Sequence, residues 1–209
     1  EGQRRRLPLS LARNSSMSNA RAAVWRAPVL LALCVVFFDQ LTKHWAVTGL
    51  GADRVIDVFW TLRWNLAFNS GMAFSRGQGF GPVIAVVATL VIVWLLVTLR
   101  TEASKLSTFG MGLVIGGAAG NLVDRAFRNE AWLRGSVVDF IDFQWFPIFN
   151  IADICINVGA GALILNSVLS ARRAKTLDAA EFEEARGAAA AADTRIATKS
   201  VTAEEIPEP

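Results

Sequence analysis

The sequence predicts an all-α membrane protein, with four transmembrane helices carrying a small extracytoplasmic β-sheet. Three observations point there. Hydrophobic residues make up 53% of the 209 positions and charged residues 19%, and mean hydropathy is +0.40, too apolar for an ordinary water-soluble domain. Four stretches approach the roughly 20 apolar residues that cross a bilayer core. Between the first two, WTLRWNL alternates Trp60, Leu62, Trp64 and Leu66 with Thr61, Arg63 and Asn65, a period of two that indicates a strand with one apolar face.

The elements follow in chain order. Residues 1–26 are polar and basic and form an expected cytoplasmic tail, with Met17 as a plausible native start. The first span runs from Ala27 to about Trp45. A cleaved signal ending at Cys34 is not expected, because Leu33 precedes the cysteine and the apolar run continues past it. The strand and the turn residues Asn69 and Gly71 lie in the first outward connection, about 46–79. Span two, Phe80–Leu99, carries no charge. Span three, Leu106–Val123, holds Gly112, Gly116 and Gly120 at intervals of four, a spacing that lets helix backbones approach closely. A second outward connection, about 124–147, leads to span four, about Ile148–Leu169. The four-span core thus covers 27–170, and 171–209 is expected to be a disordered cytoplasmic tail rich in Ala, Glu and Thr.

Arg4, Arg5, Arg6, Arg13, Arg21 and Arg26 precede span one, Arg100 and Lys105 lie between spans two and three, and Arg172, Arg173 and Lys175 follow span four. The excess puts both termini in the cytoplasm, although Arg54, Arg63, Arg76, Arg125, Arg128 and Arg134 in the outward connections blur it. The pI near 9.3 reflects residues that flank spans, which suits anionic lipid better than nucleic acid. Cys34 and Cys155 fall inside spans and read as buried structural thiols.

Ionisable residues inside spans are costly and often functional. Asp39 and Lys43 stand four apart on one helix face, where an ion pair and a site role weigh equally. Asp124 and Arg125 are adjacent, so each needs a partner elsewhere, and a structural network is the favoured reading. Asn150, Asp153 and Asn157 share one face of span four. The single histidine, His44, reads as a headgroup contact. No metal-binding or phosphate-binding motif is present, so neither metal nor cofactor is expected. Asp39, Asp124, Asp139 and Asp153 cluster at or beyond the outward ends of spans. Two carboxylates brought within hydrogen-bonding distance share one proton. Such a pair can activate water and protonate a leaving group, but spacing alone does not select it.

DQLTK (39–43), NSGMAF (69–74), GGAAGNLVDR (116–125), VVDF (137–140) and FNIAD (149–153) together resemble the lipoprotein signal peptidases, or signal peptidase II, over roughly residues 27–170. The resemblance implies a bacterial inner-membrane aspartic endopeptidase with its site at the extracytoplasmic face, beneath a sheet and a short extracytoplasmic helix. Its substrates would be prolipoproteins, cut just before a diacylglyceryl-modified cysteine, and its inhibitors globomycin-type compounds. The dyad would be Asp139 and Asp153. Asp39, Lys43, Asn69, Gly71, Asn121, Asp124, Arg125 and Asn150 match supporting positions, Asp142 would be a bystander, and a monomer is expected. The segment between the two aspartates is shorter than in many members, and the long tail has no counterpart.

An ion-coupled transporter is the main rival, since intramembrane Asp, Asn and Lys also build ion pathways. Transporters commonly show repeated halves with sites near the midplane. Here no repeat is visible and the acids gather at one face. An inactive scaffold of the same fold is disfavoured because both dyad aspartates are present.

Overall fold

The computed structural model describes residues 9–51, 54–71, 80–102, 104–128 and 133–204. Four helices, α1 (Leu9–Leu50), α2 (Gly81–Thr98), α3 (Lys105–Phe127) and α4 (Ile151–Glu204), are joined by strands β1 (Ile56–Phe59), β2 (Leu62–Asn69) and β3 (Val137–Asp142). Each helix is long and apolar enough to cross a membrane. Their outward residues are lipid-like: Leu30, Phe37, Leu41, Val86, Leu90, Trp94 and Ile164 are all exposed. In water such a belt would drive association, whereas hydrocarbon accepts it without penalty.

α3 is the central helix, with 61% of its most apolar stretch buried against 6–22% in the other three. Glycine makes this possible. A Cβ on Gly112 would stand 2.9 Å from the Pro28 carbonyl oxygen, and one on Gly116 would stand 2.7 Å from the Val35 Cβ. The stripe with a period of four therefore seats α1 directly on the α3 backbone. A second glycine surface, Gly110 and Gly117, meets Gly159 and Ala152 of α4. Ala32, Leu95, Leu99, Met111 and Ile115 fill the core towards one end of the bundle, where Arg100 lies 5.3 Å over the Trp25 ring.

The opposite end carries the antiparallel sheet, ordered β1-β2-β3. Leu62, Trp64 and Leu66 present the expected apolar face to Ala46, Leu50, Val138, Phe140 and Ile141. Trp45 meets Trp64 and Phe140 edge-on at 5.8 and 6.0 Å. The other face of β2 carries Arg63 and Asn65, which converge on Asp142 at 2.7 and 2.9 Å. Asp142 is thus a clamp between β2 and β3 and not a loose residue of a connecting segment. Trp60, expected in the strand, sits in the β1–β2 turn with φ 51°, fully turned out to solvent. After β3 the chain reverses through residues 143–149. Phe149 pairs with Ile141, its N–H donating to the Ile141 carbonyl at 3.1 Å and its carbonyl accepting from the Ile141 N–H at 2.9 Å. That closure sets Asn150, the residue before α4, beside β3.

Several boundaries differ from the expectations. α1 begins at Leu9, well before Ala27, and passes through Pro28. One proline removes a single helix hydrogen bond, which neighbouring helices can compensate. α4 continues to Glu204 where a disordered tail was expected from 171, because Ala, Glu, Arg and Lys are strong helix formers. Among the described residues, those after Ile164 form a unit of their own. Cys34, expected to be buried, is exposed, and neither cysteine is in a disulfide. Among the described residues there is no additional short helix. Met72, Ala73 and Phe74 of the NSGMAF motif, and Arg76, lie outside the described residues.

Candidate active site

The polar residues of four elements meet at the sheet end of the bundle, in two connected groups. The first is a buried ion cluster. The Lys43 ammonium lies 2.7 Å from Asp39 and 3.0 Å from Asp124, with all three side chains fully enclosed. Its third contact is a 2.8 Å hydrogen bond to the Asn121 carbonyl oxygen, so one ammonium uses all three donors. Asp39 also accepts from the Ala152 N–H at 3.0 Å, and Asp124 from the Val138 N–H at 3.1 Å. The cluster therefore ties α1 to α3, to β3 and to the start of α4. The expected Asp39–Lys43 pair is present, and it is one part of a larger network.

The second group holds the other two acids. Asn150 is the residue before α4, and its side-chain carbonyl accepts from the Asp153 N–H at 3.0 Å. Asp153 returns the contact, accepting from the Asn150 N–H at 3.2 Å. This reciprocal arrangement is a capping box, and the helix dipole favours a carboxylate there. The Asn150 amide then donates to Asp139 at 2.6 Å and to the Asn121 carbonyl at 3.2 Å. Asn121 donates to Asp153 at 2.9 Å. Asn69 donates to the other oxygen of Asp139 at 3.2 Å, its own carbonyl being held by the Gly71 N–H at 3.1 Å. Arg125 donates to the Gly71 carbonyl at 3.3 Å.

Each carboxylate is thus oriented by two donors, and Asn150 bridges them. Burial pushes the Asp139 carboxyl up and the nearby Asp153 charge adds to the effect. The amides of Asn150 and Asn69 and the Lys43 charge oppose it only in part, leaving Asp139 at about 7. Asp142 behaves oppositely: burial alone would raise it, but Asn65, the Gln144 N–H and Arg63 outweigh that and hold it below its ordinary value. A cavity of roughly 360 Å³ opens beside Asp153, with Ile84, Ala85, Ala88, Ala118, Leu122 and Ile156 as an apolar wall. Its polar end is Gly71, Asn121, Arg125 and Asp153.

This constellation lies within a stretch, residues 31–169, that matches the family described as signal peptidase (SPase) II. The chain belongs to the signal peptidase II family. It is similar to the lipoprotein signal peptidase of Mycobacterium leprae, 40% identical over 139 residues that cover 66% of this chain and 69% of that one. The lipoprotein signal peptidase of Mycobacterium tuberculosis (strain H37Rv) is 40% identical over 153 residues, 72% and 76% of the two chains. A solved bacterial membrane enzyme, determined by the in meso method at 2.3 Å resolution, superposes with TM-score 0.63 at 28% identity, covering 69% of this chain and 89% of that one. Signal peptidase II is a protease family, and with four spanning helices the chain is a multi-pass bacterial membrane protein.

Within this signal peptidase II chain, the ten residues expected as dyad or supporting positions fall into the two groups or the segment that joins them. Asn157 does not: it is exposed, and its amide donates to the Asp153 carbonyl of its own helix at 2.8 Å. His44 is exposed on α1. Two participants escaped sequence reasoning. Gln40 bridges Asp39, the Gly120 carbonyl and Asp124 at 3.1–3.3 Å, and Arg128 binds Asp124 at 2.6 Å. The i, i+4 spacing of Asp124 and Arg128 was a usable signal. So was N-x-x-D in FNIAD, the sequence form of the capping box.

Proposed function

We propose that this protein is an aspartic endopeptidase that removes signal peptides from diacylglyceryl-modified prolipoproteins, cleaving before the lipidated cysteine. The observation that carries the reading is the bridge from Asp139 through Asn150 to Asp153 at the polar end of an apolar cavity. The two carboxylates are linked through one asparagine and repel each other; like charges that repel resist double ionisation, so the pair holds one proton between them. Asp139, held near 7, keeps that proton, while Asp153 at the α4 N-terminus serves as the base.

Water attacks the scissile carbonyl carbon as Asp153 takes one of its protons. Asp139 gives its proton to the carbonyl oxygen, forming a neutral gem-diol. The C–N bond then breaks as Asp153 returns its proton to the leaving nitrogen and Asp139 recovers one from the gem-diol. Both carboxyls end as they began. The apolar wall suits a substrate that lies in the bilayer, and the polar end places the reacting atoms at its boundary.

Both termini are cytoplasmic and the site faces the extracytoplasmic side. Arg63 and Arg128 at the site end are paired with Asp142 and Asp124, which accounts for basic residues on the translocated side. The test is purified protein in lipid vesicles, given a lipidated prolipoprotein at neutral pH. Wild type should cleave and be blocked by globomycin, while Asp139→Asn and Asp153→Asn should be inactive yet folded. Wild-type rates in either variant would remove that residue from the dyad.

A further inference from the structure

The direct ion pairs inside the buried cluster do not balance, because the one other buried cation near Asp124, Arg125, is shared with Asp139 and Asp153. Asp39 and Asp124 are two carboxylates, both fully enclosed, and Lys43 is one ammonium. Burying an uncompensated charge is strongly unfavourable. The balance comes from a residue one turn beyond, Arg128, whose Nε lies 2.6 Å from Asp124 Oδ1. Lys43 takes the opposite oxygen, Oδ2. Arg128 also closes α3, its backbone N–H donating to the Asp124 carbonyl at 3.0 Å. Its side chain remains 27% exposed, so the cluster gains a cation that stays partly hydrated.

We propose that Arg128 is a positioning residue for the dyad, acting through Asp124, Lys43 and Asn121. The inference rests on the dyad reading above. With Asp124 Oδ1 occupied by Arg128, Lys43 has a donor to spare, and that donor holds the Asn121 carbonyl at 2.8 Å. A held carbonyl settles which end of the Asn121 amide faces α4, so its N–H points at Asp153. Without Arg128, Asp124 Oδ1 keeps only the Gln40 amide at 3.2 Å, and the cluster carries an excess negative charge. Lys43 is then drawn towards its two carboxylates and away from Asn121, which leaves the amide free to turn and Asp153 without its donor. The groups facing Asp124 come from every neighbouring element: Asp39, Gln40 and Lys43 of α1, Arg128 of α3 and the Val138 N–H of β3, with Arg125 of α3 also acting on it electrostatically. Of the charged groups among these, Arg128 is the most exposed.

The test is steady-state cleavage of a lipidated prolipoprotein by the full chain in vesicles, with Arg128→Gln, Arg128→Met and Arg128→Lys, alongside Asp139→Asn and thermal unfolding of each. The two neutral variants should remain folded and lose about tenfold in kcat at unchanged KM, the size expected for sub-ångström misplacement of a reacting group. Arg128→Lys should recover most of kcat. If the neutral variants match wild type, or lose no more than Arg128→Lys does, or fail to fold where Arg128→Lys folds, Arg128 serves stability alone and the proposal is overturned. An active Asp139→Asn would instead sink the dyad reading, whatever Arg128 does.

Discussion

Asn150 and Asp153 cap each other across the first turn of α4, side chain to backbone in both directions, at 3.0 and 3.2 Å. The same Asn150 amide holds Asp139 at 2.6 Å. One asparagine therefore performs a helix-capping task and a site-building task, and substitution can separate them. Asn150→Ala should lower stability by about 1 kcal/mol through loss of the cap, and should lower kcat about a hundredfold through loss of dyad geometry. Asn150→Ser should restore the unfolding midpoint but not kcat, because a serine cap is too short to reach Asp139. Parallel recovery of both by serine would refute the separation.

The state of Asp139 makes a prediction about stability. Its folded pKa lies near 7, above its ordinary 3.8. Between those values the unfolded chain ionises while the folded chain keeps its proton. The folded state is therefore favoured below about 4, loses that advantage as pH rises, and reaches a plateau above 7. Asp139→Asn removes the titration. Its unfolding midpoint should exceed that of wild type at pH 8, with the gap narrowing towards pH 4. A gap independent of pH would show that Asp139 ionises normally.

Activity should fall on the alkaline side as the pair loses its shared proton. Asn69 opposes the rise in Asp139 by donating to its carboxylate. Asn69→Ala should therefore push Asp139 higher and move the alkaline limb of the kcat profile to higher pH. A limb that moves down, or stays, would contradict the assignment.

Asp142 gives a contrasting case. It binds Arg63 and Asn65 across the sheet, whereas Asp139 is held by Asn69 and Asn150. Asp142→Asn should keep its activity and lose about 1 kcal/mol of stability, since Arg63 is partly exposed and the pair is screened. An inactive but folded variant would show that the sheet clamp governs the site.

The α1–α3 contact is tested at Gly116. An alanine Cβ would stand 2.7 Å from the Val35 Cβ and 2.8 Å from the Ala32 carbonyl oxygen, so the helices must separate. Gly116→Ala should cost about 1–3 kcal/mol as overpacking, read as a lower unfolding midpoint in detergent. An unchanged midpoint would mean that α1 yields freely at this point.

Much of this architecture was legible in the chain. Span two showed as uninterrupted apolar residues, β2 as the alternation from Leu62 to Leu66, and the α1 seam as Gly112, Gly116 and Gly120. Strand β3 did not, because all six of its residues are buried. A strand buried on both faces has no alternation to detect. The four residues of β1 are too few to carry a period.

By itself, the sequence determined that the chain is a four-span membrane protein with acids gathered at one end, since hydropathy and residue type act locally and register along the chain. It also carried the motifs of the family. Only the tertiary structure decided how the acids divide. Asp39 and Asp124 share Lys43, Asp142 faces Arg63, and Asp139 meets Asp153 through Asn150. Which carboxylate finds a cation and which finds only amides depends on contacts between residues distant in sequence. Burial and the nearby Asp153 charge, opposed only in part by its amide partners, leave Asp139 near 7, whereas Asn65, the Gln144 N–H and Arg63 outweigh burial at Asp142, three residues on, and hold it below its ordinary value.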